Sequence, residues 1–181
     1  RSGWSHKALI RTIGLSNTYR QTSHHRPELI DLDPKNFLLA RQNRFRVEAE
    51  IIRDLSLAAS GLLSKKVGGP SVFPPIPAGV SDVNYNSAFK WNLSEGEDRY
   101  RRGMYTYFKR TAPHPGLISF DCPDSNVTTI QRARSNTPIG ALITLNSESF
   151  VETAQALARR VFSEKAGDDD TARIEHAFRL C

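Results

Sequence analysis

The chain has 181 residues, 39% of them hydrophobic and 24% charged, so it is not a disordered chain and is long enough to bury a core as a single domain over residues 1–181. Its longest apolar runs fall far short of the roughly 20 residues that a membrane-crossing helix needs, which excludes a membrane span. The formal net charge of +6 suits an anionic partner, but the Lys and Arg residues form no block and no stripe interleaved with aromatics, which argues against nucleic acid.

Helical spacing predicts a first helix over residues 5–20, with Ser5 as its N-cap and Trp4, Ala8, Leu9 and Ile13 on one face. Residues 21–35 carry Pro27 and Pro34 and read as a loop with one helical turn, followed by a short helix from Asn36 to Gln42. The clearest element is a helix from Val47 to Leu63. Val47, Ile51, Leu55, Ala58 and Leu62 form its apolar stripe, and Glu48, Glu50, Arg53 and Asp54 take the opposite side. Prolines and glycines between Gly68 and Gly79 exclude a regular helix or a central strand, and the irregular stretch continues to Asp98. Aromatics and threonine favour a strand over Arg102–Arg110, and Leu117–Phe120 and Val127–Arg134 are two further short strands.

Thr137 and Pro138 then open a helix as N-cap and first residue. A long helix follows over Ser147–Phe162, with Phe150, Val151, Ala154, Leu157, Ala158 and Val161 on its apolar face and a capping box from Ser149 to Glu152. Gly167 ends it, and Asp168, Asp169 and Asp170 start a last helix within which the chain stops. The expected fold is mainly α, formally α+β. Helices surround one core, with a small β element and long Pro/Gly-rich loops, in a segment cut from a larger protein.

No motif commits the chain to a reaction. His6, His24, His25, His114 and His176 form no HExxH pair. There is no GxSxG, and neither Cys122 nor Cys181 has a histidine at motif spacing. Without CxxC or CxxCH, no metal or haem attachment is expected in this segment; whether the two cysteines form a bridge stays open. The arginine-rich stretch from Arg99 to Pro138 is the place to look. Guanidinium forks bind carboxylate, sulfate or phosphate, and a helix N-terminus adds backbone donors. The candidate anion-binding residues are Arg101, Arg102, Arg110, His114, Arg132, Arg134, Asn136 and Thr137. The competing reading is internal pairing with Glu50, Glu95, Glu97 or Asp98, which would lock irregular loops to the helices.

A set of short motifs runs through the whole chain. It begins with Ser16-Asn17-Thr18-Tyr19-Arg20-Gln21, Asp33-Pro34 with Asn36, and Leu38-Leu39-Ala40-Arg41. It continues with Arg44, Arg46, Glu48-Ala49-Glu50, Arg53-Asp54, Ser60-Gly61-Leu62-Leu63 and Gly68-Gly69-Pro70-Ser71-Val72. Tyr100-Arg101-Arg102-Gly103, Lys109-Arg110-Thr111-Ala112-Pro113, Phe120-Asp121 and Asn136-Thr137-Pro138 complete it. In combination these resemble the planctomycete-specific PSD1 family, also called DUF1553. The sequence departs from that pattern at Thr128, Gln131 and Gly140.

The resemblance implies an exported protein of the periplasm or cell envelope. It also implies DUF1549 and cytochrome c domains in the same polypeptide as partners. It supplies no catalytic residues. The expected function is a non-catalytic accessory or interaction module. The alternative is binding or processing of an acidic or sulfated polysaccharide through the arginines.

Overall fold

The computed structural model describes residues 3–77, 89–165, 167 and 169–181. These group into two compact units, Arg1–Arg46 and Val47–Cys181.

In the first unit, helix α1 spans His6–Gly14, and the Ala8 N–H donates to the Ser5 hydroxyl as the N-cap reading expects. The helix ends at Gly14, well before residue 20. Pro27–Leu29 forms the single 3-10 turn of the following loop. The helix expected over Asn36–Gln42 does not form. Asn36 and Leu39 take left-handed backbone angles, with φ of 56° and 53°, which no α-helix accommodates. The buried Asp33 carboxylate instead accepts the N–H groups of Phe37 and Leu38 at 2.8 and 2.7 Å. Asn36 closes the turn by donating to the Arg41 carbonyl.

The second unit is built on two helices, α2 over Ala49–Ser60 and the 17-residue α5 over Glu148–Glu164. Around them lie a short helix α3 at Pro115–Ile118, helix α4 at Pro138–Asn146 and helix α6 at Asp170–Leu180. Ala49, Leu117 and Phe120 form the buried cluster, with Ile52, Phe108, Cys122 and Phe150 packed against it. Phe120 and Phe150 meet edge to face at 6.0 Å. No helix among the described residues is long and apolar enough to cross a membrane.

The fold is mainly helical, as expected, but among the described residues the β element reduces to one parallel bridge between Val72 and Thr106. Within Arg102–Arg110, Gly103–Tyr105 is a 3-10 turn, and the backbone of the proline-rich loop beside it pairs with this segment through Val72. Leu117–Phe120 belongs to the α3 turn, because Pro115 sits at its first position and the Gly116 N–H donates to the His114 ring. Val127–Arg134 is irregular. Val127 and Ile130 are exposed, Ile130 fully so, which leaves no buried face for a strand to cover.

The stripe expected on α2 is also turned. Ile51 and Leu55 are exposed, whereas Ala49, Leu57 and Ser60 are buried. The buried side therefore runs through Arg53 and Ser56, and its polar members have internal acceptors: Ser60 donates to the Leu57 carbonyl, and Arg53 to loop carbonyls. The α4 start matches the expectation, with the Gly140 N–H donating to the Thr137 hydroxyl. The capping box on α5 does not form. Ser147 is the N-cap, Ser149 donates to the Pro75 carbonyl, and Glu152 pairs elsewhere. Asp169 caps α6 by accepting from the Ala172 N–H. The 78–88 part of the long irregular stretch, and Asp168, lie outside the described residues.

Candidate functional site

Arg101 is fully buried, a rare position for an arginine. Its guanidinium donates to the carbonyls of Pro70, Lys66 and Gly68 and lies 3.7 Å above the Tyr105 ring. The Pro/Gly-rich loop has few backbone partners of its own, so its carbonyls converge on this fork. Two more arginines work the same way. Arg53 donates to the Arg99 carbonyl at 2.8 Å and to the Arg101 carbonyl at 3.3 Å. Arg160 on α5 donates to the Ala59 and Ala58 carbonyls at the end of α2, where a cation also complements the helix dipole.

The remaining arginines of the stretch meet carboxylates. Arg99 forks onto Glu152 and reaches Glu148, and Tyr100 donates to the same Glu152 at 2.9 Å. This triad ties the Gly96–Tyr100 3-10 turn to α5. The Glu152 hydrogen bond raises the Arg99 pKa above its ordinary value. Arg132 pairs with Glu50 at 2.7 Å and Glu48 at 3.3 Å. Burial opposes ionisation of Glu50, but the Arg132 hydrogen bond holds its carboxyl below the usual range. The Cys122 thiol donates to the other Glu50 oxygen, and burial, helped by that carboxylate, pushes its pKa up to about 11. A thiol in that state is a poor nucleophile at neutral pH. Both cysteines are free.

The eight candidate residues therefore do not converge. Arg101 and Arg132 are engaged inside the fold, and Thr137 caps α4. Arg102, Arg134 and Asn136 are exposed, and exposed Arg110 donates to the Asn126 side chain. His114 is held at both ring nitrogens: Nδ1 accepts from the Gly116 N–H, and Nε2 donates to the Pro75 carbonyl. Burial, with Arg53 nearby, drops its pKa to about 4. It is neutral at pH 7 with no lone pair left to act as a base.

That shift has a measurable consequence. The unfolded histidine takes a proton near pH 6.5, the folded one only near pH 4. Between those values the unfolded state binds more protons, so His114 contributes stability above pH 6.5 that is lost as the pH falls towards 4. Denaturant unfolding at a series of pH values checks this: wild type should lose stability across the window, and His114→Gln should lose less.

Residues missed from the sequence are Arg53, Thr106 and Arg160. Arg53 lines a cleft between α2, α3 and the start of α5, together with Leu57, Thr106, His114, Phe120 and Phe150. The Thr106 hydroxyl there is buried and has no hydrogen-bond partner among the described residues. A second, open groove over Thr129–Arg134 and Glu48 carries both signs of charge. Among the described residues no group of three or more His, Cys, Asp or Glu side chains is placed to hold a metal ion.

No curated protein and no solved structure matches the chain. The family model PSD1, a protein of unknown function (DUF1553), matches residues 1–181, and the chain belongs to that family.

Proposed function

We propose that this domain is a non-catalytic accessory module of an exported, cytochrome-linked multidomain protein, whose arginines hold its loops as a scaffold. The observation that supports it most is the state of the arginine-rich stretch. Arg101 has its guanidinium on loop carbonyls, and Arg99 and Arg132 are paired with carboxylates of α5 and the α2 start. The neighbouring groups with catalytic chemistry are similarly occupied: His114 at both nitrogens and Cys122 as a thiol on Glu50. The export, the DUF1549 and cytochrome c partners and the haem-linked context come from what the family resemblance implies. The test compares haem-dependent oxidation by the full-length protein with that by a version lacking this domain. The reading expects the isolated domain to turn over nothing; turnover by the domain alone would overturn it.

The polysaccharide alternative rests on the exposed arginines Arg102, Arg110 and Arg134. Arg132 in the open groove already has Glu48 and Glu50 as partners, so a sulfated glycan would compete with two carboxylates. Calorimetric titration with a sulfated glycan should give no saturable heat. A saturable heat lost in Arg102→Ala or Arg134→Ala would favour the alternative.

A further inference from the structure

The first unit, Arg1–Arg46, differs in charge from the rest of the chain. It holds nine Lys and Arg against three Asp and Glu, a net +6. The whole chain holds 25 against 19, also a net +6, so residues 47–181 are neutral overall. No Asp or Glu precedes Glu28. Of the three acids, Asp33 is buried and accepts the Phe37 and Leu38 N–H groups, and Glu28 is paired with Arg26. Lys7, Arg11, Arg20 and Lys35 are exposed.

The same unit turns large apolar side chains outward. On α1, Leu9, Ile10 and Ile13 share one side of the helix and are 60%, 68% and 50% exposed. Lys7 and Arg11, one helical turn apart, fall on the flank away from them. Trp4, just ahead of the helix, is 97% exposed. The turn held by Asp33 repeats the arrangement. The N–H groups of Phe37 and Leu38 are bound inward, and the two residues are each 79% exposed. Single exposed apolar residues are ordinary on a protein surface. A helix face and a closed turn that both present them, in a unit carrying the whole net charge, mark an interaction surface.

We infer that the first unit docks on the surface of an anionic lipid bilayer, with α1 lying in the interface, Leu9, Ile10 and Ile13 below the headgroups, and Lys7 and Arg11 among them. The pattern selects this partner. A basic amphipathic helix gains from the acyl layer on one side and from negative headgroups on the other. Its long cations keep their charge in the headgroup layer while their stems lie along apolar surface. The indole of Trp4 suits the same boundary. An acidic protein would match the charge, but it would also need a cavity shaped to each protruding side chain, whereas a bilayer receives apolar protrusions of any shape. The contact is peripheral, since α1 has nine residues and no helix among the described residues can cross a membrane. The inference is independent of the scaffold reading, whose arginines belong to the second unit.

The test mixes the 181-residue chain with phosphatidylcholine vesicles, with or without about 30% phosphatidylglycerol, and reads co-sedimentation and tryptophan fluorescence. The Trp91→Phe variant leaves Trp4 as the sole tryptophan for the fluorescence reading. Phosphatidylglycerol should tighten binding at least about 10-fold, and Trp4 emission should shift to the blue. Raising sodium chloride from about 0.1 M to about 0.5 M should weaken the binding. Lys7→Gln with Arg11→Gln should weaken it about 10-fold. Leu9→Gln with Ile10→Gln should abolish the blue shift. Glutamine keeps helix propensity and all four side chains are exposed, so the melting temperature should hold in both pairs. Soluble polyglutamate is the control for an acidic protein surface. No binding to the mixed vesicles, equal binding to both vesicle types, unchanged binding by either glutamine pair, or polyglutamate bound as tightly as the mixed vesicles would each overturn the assignment.

Discussion

Replacing Arg101 by alanine is expected to destabilise the second unit by about 4 kcal/mol, a large effect for one side chain. Two losses combine. The stem of a fully buried arginine leaves a void beside Tyr105, over whose ring the guanidinium sits. The carbonyls of Pro70, Lys66 and Gly68 lose a common charged donor, and each such bond is worth about 1.5–3 kcal/mol. The opposing term is the cost of keeping a guanidinium out of water, with Nε unpaired, which alanine removes. The bonds should outweigh it, because among the described residues the loop they hold has little to replace them beyond the Val72 bridge, one backbone bond from Ser94 to Phe73 and a few side-chain ties.

Arg101→Lys keeps the charge but cannot span three carbonyls, so it should fall between wild type and alanine. Urea unfolding measures both, and the alanine variant should melt roughly 8–16 °C lower. The exposed neighbour Arg102 is the control, and its alanine variant should stay within about 0.5 kcal/mol of wild type. An Arg101→Ala variant that unfolds at the wild-type midpoint would remove the central support for the scaffold reading.

The helices were legible where local signals act alone. Ser5, Thr137 with Pro138, and Asp169 each cap the helix start assigned to them, because a capping bond closes within three residues. The strands failed for the opposite reason. Tyr105, Thr106 and Tyr107 have strand propensity, but a ladder needs a partner, and the partner supplied by the chain is a proline-rich loop that offers Val72 alone. The buried face of α2 was misread because it is polar in part. Arg53, Ser56 and Ser60 repeat at helical spacing as regularly as Ile51 and Leu55 do. The two serines turn inward on local acceptors one helical turn back, whereas Arg53 needs distant ones. Arg53 reaches carbonyls 46 and 48 residues away, a pairing that no local pattern encodes.

The candidate site shows the same limit. Clustering in sequence drew attention to Arg101, Arg132 and Arg134, but their settings differ: Arg101 is buried on loop carbonyls, Arg132 pairs with the α2 start, and Arg134 is exposed. The internal-pairing reading named Glu50 as a partner, and Arg132 takes it; the Glu148 and Glu152 partners of Arg99 lie about 50 residues away on α5.

Gly103→Ala is the second substitution with a large expected effect, and it tests the same architecture from the backbone side. Gly103 has an ordinary negative φ, so it is not there for conformational freedom. It is there because the chain passes against the first turn of α2. A Cβ at this position would lie 2.6 Å from the Glu50 carbonyl oxygen and 2.7 Å from the Glu50 Cα. Those atoms are helix backbone and cannot rotate away. The loop cannot retreat freely either, since the Gly103 N–H donates to the Asp54 carboxylate at 2.6 Å and Arg53 holds the carbonyls on its near side. Relief requires the 3-10 turn to lift from α2, which breaks the Asp54 bond and loosens the Arg53 and Arg101 ties together. The expected cost is about 3 kcal/mol, seen as a melting temperature roughly 6–12 °C lower. Gly14→Ala is the contrast. It sits in a helical residue with open space around its Cβ position, and should hold or raise the stability of α1 by about 0.5–1 kcal/mol. If Gly103→Ala proved as mild as Gly14→Ala, the close seat of the Arg101–Gly103 segment on α2 would be wrong. The convergence of Arg53, Asp54 and Arg101 around it would then have to be redrawn.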